Sequence, residues 1–205
     1  MRQSTFNAFG HATREVGSHT PVWLGTVTPL PVGGSLAKAY AKRGLLLPAG
    51  TPIHIKDRVI TPALVYTVKA YASGVVTIDP SEHPGFTPAK DMYVKLVGDS
   101  FTSAAGVKVT AAAANSENAA LLDLTATVAA AEAGKSVIVS AESSVSPNAY
   151  LYNDIYIGDE ETEDTGASGA AVVSHAEGVL IDRTPASGIA AAMRAAVPGV
   201  VQVNG

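Results

Sequence analysis

The chain has 205 residues, 47% of them hydrophobic and 16% charged, which excludes disorder by composition and allows one domain with a real core or two small ones. There is no cysteine, so disulfides, thiolate metal sites and cysteine nucleophiles are excluded together. The net charge of −4 is uneven: residues 1–58 carry seven Lys/Arg against two Asp/Glu, and residues 115–170 carry one lysine against ten acids.

That asymmetry suits oriented packing against a charged surface or another copy of the chain. It does not suit nucleic acid, because the basic end has no dense Lys/Arg run and no aromatic–basic interleaving. No apolar run approaches the roughly 18 residues of a membrane helix. The start, "MRQSTFNAFGHATREVG", lacks the continuous apolar stretch of a secretory signal, so synthesis and retention in a cytoplasm are expected.

Residues 1–34 read as an extended arm: polar, interrupted by Pro21, Pro29 and Pro31, and without sustained periodicity. Within it "VWLGTVTPL" (Val22 to Leu30) predicts one strand, which its flanking prolines confine to a sheet edge. "SLAKAYAKRG" (Ser35 to Gly44) predicts a short helix, with Ser35 as N-cap, basic residues in the last turn and Gly44 after it. From Leu45 on, strands dominate: "TPIHIKDRVI", "ALVYTVKAY", "GVVTID", "MYVKLVG", "GVKVTA", "ALLDLTATV", "SVIVSAE", "AYLYNDIYIG" and "AAVVSHAEGVLID" alternate or run β-branched between turn residues. Near the end, "TPASGIAAAMRAAVPG" predicts a helix with Ile189, Ala192, Met193 and Ala196 on one face and Thr184 or Ser187 to cap it. "GVVQV" closes the chain as a strand.

A phrase recurs: "PAGTPIHI" from Pro48, "PAKDMYVKL" from Pro88 and "EAGKSVIV" from Glu132. Each runs from alanine through glycine or lysine and a polar residue into a strand, as a tight turn feeding a strand requires. The expectation is duplicated strand–turn–strand units within one β assembly.

The residues that suggest chemistry do not assemble into a site. "EAGKSV" ends like a phosphate-binding loop, but Ala129 stands where the first glycine belongs and a strand follows where a helix is needed. Gly98-Asp99-Ser100 resembles the nucleophile turn of some esterases. Those enzymes need a base from an Asp-x-x-His segment, and the chain has none. His11, His19, His54, His83 and His175 are scattered without metal-ligand spacing. "GDEETEDTG" (Gly158 to Gly166) lacks the alternation of a calcium loop and reads as a solvated connection. No catalytic group, metal or cofactor is therefore expected, and elimination favours a scaffold or interaction protein.

The order of the C-terminal features carries a resemblance. Thr165-Gly166-Ala167 is followed by the small-residue phrase His175 to Val179, an alanine-rich helix from Pro185 to Ala196 and a closing strand from Gly199 to Val203. This sequence is similar to the end of tailed-phage head decoration (auxiliary capsid) proteins and related head-fibre proteins, and "LLLPAGTPI" (Leu45 to Ile53) resembles their entry strand. The stretch from Gly106 to Glu142 resembles an insertion in capsid-associated phage proteins.

The strand-rich pattern and the resemblance together give the expected fold: mainly β, a β-barrel or β-clip-like assembly of short strands with one short N-terminal and one short C-terminal helix behind an extended N-terminal arm. Its organisation would be an arm over 1–34, a β core over 35–98 and 147–205 that includes the C-terminal helix, and an inserted β subdomain over 99–146. It implies a homo-oligomeric structural virion protein, dimer or trimer, on the outside of a phage head, decorating or stabilising it or anchoring a fibre. The implied partners are the major capsid protein, further copies of itself and a head-fibre protein, with no nucleic acid and no membrane. Phe6, Phe9, Val22, Trp23 and Leu24 are the expected anchors of the arm, because aromatics dominate interface energetics, and the intramolecular alternative is Trp23 capping its own barrel. The alternative is a carbohydrate- or receptor-binding β module on a head fibre. It would use Tyr150, Tyr152 and Tyr156 on one strand face, with Leu151, Ile155 and Ile157 on the other.

Overall fold

The computed structural model describes residues 22–29, 34–101, 105–157 and 172–204. In chain order the strands are β1 (Trp23–Pro29), β2 (Ser35–Leu36), β3 (Leu46–Leu47), β4 (Pro52–Lys56), β5 (Val59–Pro62) and β6 (Leu64–Thr67). There follow β7 (Ala70–Ala72), β8 (Val75–Ile78), β9 (Tyr93–Leu96), β10 (Val107–Lys108), β11 (Ala111–Ala114) and β12 (Leu122–Thr125). The last are β13 (Ser136–Ser140), β14 (Ala149–Leu151), β15 (Ile155–Tyr156), β16 (Val172–Leu180) and β17 (Val200–Val203), with the helix α1 (Ala190–Ala196) before β17. The fold is mainly β, in several open sheets, and among the described residues no sheet closes into a barrel.

The first sheet runs β1-β16-β14-β4-β5-β2, with β17 also beside β16. The second runs β10-β9-β13-β6 and the third β11-β12-β8-β7, while β15 pairs with β3. Strand β16, nine residues long, takes β1 along one edge and β14 then β17 along the other. β17 is parallel to β16, so the two need a crossover, and α1 provides it.

The second sheet is covered on both faces. Leu64, Tyr66, Val94, Val137 and Val139 belong to one core, shared with Val76, Ile78, Leu122 and Leu124 of the third sheet. Val65 and Ile138 turn the other way, into a core with Val173, Ala176, Val179, Ile189, Ala192 and Met193. This is why "ALVY" and "SVIV" are continuous apolar runs: a strand buried on both sides has no polar face to alternate. Lys95 shares the face of Ile138, its register partner, and burial lowers its pKa.

The recurring phrase is a turn. Thr51 N–H donates to Pro48 O at 3.1 Å, Met92 N–H to Ala89 O at 3.4 Å and Lys135 N–H to Glu132 O at 3.2 Å. The third residue of each turn has positive φ, 79° at Gly50, 72° at Asp91 and 84° at Gly134, the requirement of a type II turn. A second turn of the same kind precedes each, closed by Leu45 to Lys42, Phe86 to His83 and Ala131 to Val128. Those closing residues, Leu45, Phe86 and Ala131, are all buried. So β4, β9 and β13 each start after two turns and one buried side chain.

Three expectations change. The predicted helix over Ser35 to Gly44 is β2 and a single 3-10 turn at Lys38–Tyr40. Parallel pairing with β5, with Ser35 N–H on Arg58 O and Ala37 N–H on Ile60 O, captures the start and leaves too few residues for a helix. "AYLYNDIYI" breaks at Tyr152-Asn153 into β14 and β15, which lie in different sheets, so Tyr150, Tyr152 and Tyr156 share no strand face. The 99–146 segment, expected as an inserted subdomain, supplies β13 between β6 and β9 and β12 beside β8. The C-terminal helix forms as a 3-10 turn (Ser187–Ile189) leading into α1. Ile189, Ala192 and Met193 are buried as expected, but the Thr184 hydroxyl accepts from Ala186 N–H ahead of the helix rather than capping α1.

Candidate functional site

The expected arm anchors divide. Phe6 and Phe9 lie outside the described residues, as does "GDEETEDTG". Trp23 and Leu24 start the edge strand of the first sheet, and buried Val22 just before it accepts from Leu180 N–H at 2.7 Å, so this part of the arm is docked on its own domain. Trp23 donates its indole N–H to Tyr152 O at 2.9 Å and meets the Tyr150 ring edge-on, with centroids 6.1 Å apart. Leu24 points out, 39% exposed, over Gly178, where a Cβ would lie 2.9 Å from the Leu24 Cβ. A bulge separates Leu24 from Val27, and there Thr26 N–H donates to the Glu177 carboxylate at 2.9 Å. That bond holds the Glu177 carboxyl below its ordinary pKa.

Of the three tyrosines, Tyr150 is fully buried, with its hydroxyl receiving a hydrogen bond from Gln202 Nε2 at 3.3 Å. Burial raises its phenol pKa. Tyr152 and Tyr156 are half-buried, and Tyr152 lies against Trp23 at 6.2 Å. Ser100 is exposed in a bend after β9, whereas His175 sits on β16 opposite Thr28 in another sheet. Gly134 and Lys135 form the turn that leads to Ser136, the first residue of β13, and Lys135 pairs with Glu132 at 3.3 Å.

Two residues that sequence reasoning left unassigned stand out. His83 is buried beside the free edge of β6 and donates from Nε2 to Val65 O at 2.8 Å. Its ring meets Tyr66 in a T-shaped contact at 4.7 Å. Burial lowers the His83 pKa, opposed by the Val65 bond and by Glu82. Glu82 accepts from Thr67 N–H at 2.9 Å and pairs with Lys69 at 2.9 Å. Val65, Thr67, Glu82, His83, Pro185, Ser187 and Gly188 enclose a cleft of about 270 Å³. The only sequence signal for it is His83-Pro84-Gly85, a turn signature after the 3-10 helix Pro80–Glu82.

Among the described residues no group of three metal-ligating side chains occurs, and no helix is long and apolar enough to cross a membrane. No protein-family model matches the chain, and neither the curated proteins nor the solved structures give a significant match.

Proposed function

We propose that this chain is a structural virion protein bound to the outside of a phage capsid, decorating or stabilising the head or anchoring a head fibre. One geometric observation supports the reading: β1 is held at the rim of a seven-stranded sheet. An arm that begins at a fixed point can reach a neighbouring subunit and add backbone hydrogen bonds to one of its sheet edges. The uneven charge adds orientation to that contact. The contacts proposed are with the major capsid protein and with further copies of this chain around a local symmetry axis. A β-clip-like arrangement of the short strands belongs to the same proposal.

The alternative, a glycan- or receptor-binding module, needs an exposed aromatic face, and Tyr150 is buried in the core.

The test is removal of residues 1–21, which leaves β1 in place. The truncated protein should keep the parent's melting temperature and circular dichroism but no longer co-sediment with purified capsids. Full decoration by the truncated protein would overturn the arm mechanism. Failure of the intact chain to bind capsids would overturn the capsid reading itself.

A further inference from the structure

β6 is the last strand of the second sheet. Val68 N–H donates to Lys135 O at 2.9 Å, and with Tyr66 opposite Val137 and Leu64 opposite Val139 this fixes the alternation. Leu64 and Tyr66 direct their backbone groups to β13, so Val65 and Thr67 direct theirs away from the sheet. Both outward residues are met by side chains. His83 bonds Val65 O at 2.8 Å, and Glu82 takes the Thr67 N–H at 2.9 Å. Two consecutive side chains thus bond alternate residues of a strand, the pattern a further strand would make. They are held there by the 3-10 helix, whose N-cap Asp79 accepts from Ser81 N–H at 2.9 Å, and by the Lys69–Glu82 pair.

We infer that His83 and Glu82 are a side-chain surrogate for a strand, that they keep the β6 edge shut, and that the withdrawn surrogate would be replaced by the same edge of a second copy of this chain. Free strand edges are templates for pairing with another chain, and proteins blunt them in recognisable ways. β1 is interrupted by a bulge and ends in Pro29, and β2 and β10 have two residues each. β6 has four residues, none of them proline, and an uninterrupted register. Its outward groups are self-complementary. Two copies placed antiparallel about an axis at Tyr66 would pair Val65 of each with Thr67 of the other. The cleft between Glu82 and His83 on one side and Pro185, Ser187 and Gly188 on the other gives the incoming strand room.

The experiment is the double variant Glu82→Ala with His83→Ala, studied by amide hydrogen exchange and by sedimentation over a concentration series. Exchange at Thr67, measured at concentrations where the variant still sediments at the parent's mass, should accelerate by about tenfold or more. The sedimenting mass should rise with concentration to twice the parent's. Adding Thr67→Pro, which removes an outward N–H and no bond to β13, should restore the parent's mass. Unchanged exchange at Thr67 at those low concentrations overturns the closure. Faster exchange with no gain in mass overturns the pairing. If the double variant does not fold, Glu82→Ala with His83→Leu, which fills the space of the ring and removes both bonds, must show both changes, and their absence overturns the inference equally.

Discussion

The indole N–H of Trp23 reaches the backbone carbonyl of Tyr152 at 2.9 Å, joining residues 129 positions apart. The bond ties the edge strand β1 across β16 to the end of β14. Trp23→Phe keeps most of the packing against Tyr150 and loses the bond, and should cost about 1 kcal/mol. Trp23→Ala also loses the ring contacts and should cost about 3 kcal/mol. Urea denaturation followed by circular dichroism measures both, and equal midpoints for the two variants would show that the ring contacts add nothing to the hydrogen bond.

Two buried tyrosines should respond with opposite signs to loss of their hydroxyls. The Tyr40 hydroxyl donates to Ser140 Oγ at 3.1 Å and accepts from Ala141 N–H at 2.8 Å, so Tyr40→Phe should destabilise by about 1–3 kcal/mol. The Tyr66 hydroxyl is buried with no hydrogen-bond partner among the described residues, and burial raises its pKa, with Glu82 adding to the rise. Tyr66→Phe removes an uncompensated polar group and should leave stability unchanged or raise it by up to about 1 kcal/mol. Chemical denaturation of the pair decides the point, and a large loss in Tyr66→Phe would contradict it.

The turns before the strands offer a backbone test. Ala130, exposed, holds φ at 59°, a region that costs a residue with a Cβ about 1–2 kcal/mol. Ala130→Gly should therefore stabilise by about 0.5–1 kcal/mol after the extra freedom of the unfolded glycine is subtracted. Gly85 lies at φ 80° with its open side against the backbone of Gly44 and Leu45. Gly85→Ala would collide with that backbone and should destabilise by more than about 2 kcal/mol. Melting temperatures that move in the same direction for both variants would refute this account.

Stability should also depend on pH through His83. Burial holds its folded pKa below the ordinary 6.5, so as pH falls through 6.5 the unfolded chain takes up the proton first. Its contribution is complete above 6.5, declines as pH drops toward the lower folded value and is constant beneath that. Asp79 and Asp91 are held below their ordinary values by hydrogen bonds from Ser81 and Lys108, so losses from them belong to more acid solution. The folded His83→Asn variant should lack the slope just below pH 6.5 in a series of denaturation curves. An unchanged slope would assign the effect to another group.

What was legible in the sequence followed local rules. Alternation or β-branching marked β4, β8, β9 and β16, and the apolar face of α1 was visible at helical spacing. The turn phrases were legible because unusual φ demands particular residues. β11 was not, because four alanines carry no β-branched signal and the strand exists only by pairing with β12. The helix expected after Ser35 failed because a distant partner, Arg58 to Ile60, offered those residues a parallel ladder. The closure of β6 was invisible for a related reason. Its two members, Glu82 and His83, gain their meaning only from the alternation that β13 imposes on β6.

The sharing of β13 has a thermal consequence. Val137 and Val139 help to wall one core while Ile138, between them, walls the other. Neither half of the molecule can loosen without stripping a side from its neighbour. Heating should therefore produce a single calorimetric peak whose measured enthalpy equals the van't Hoff value, with both halves lost at one temperature.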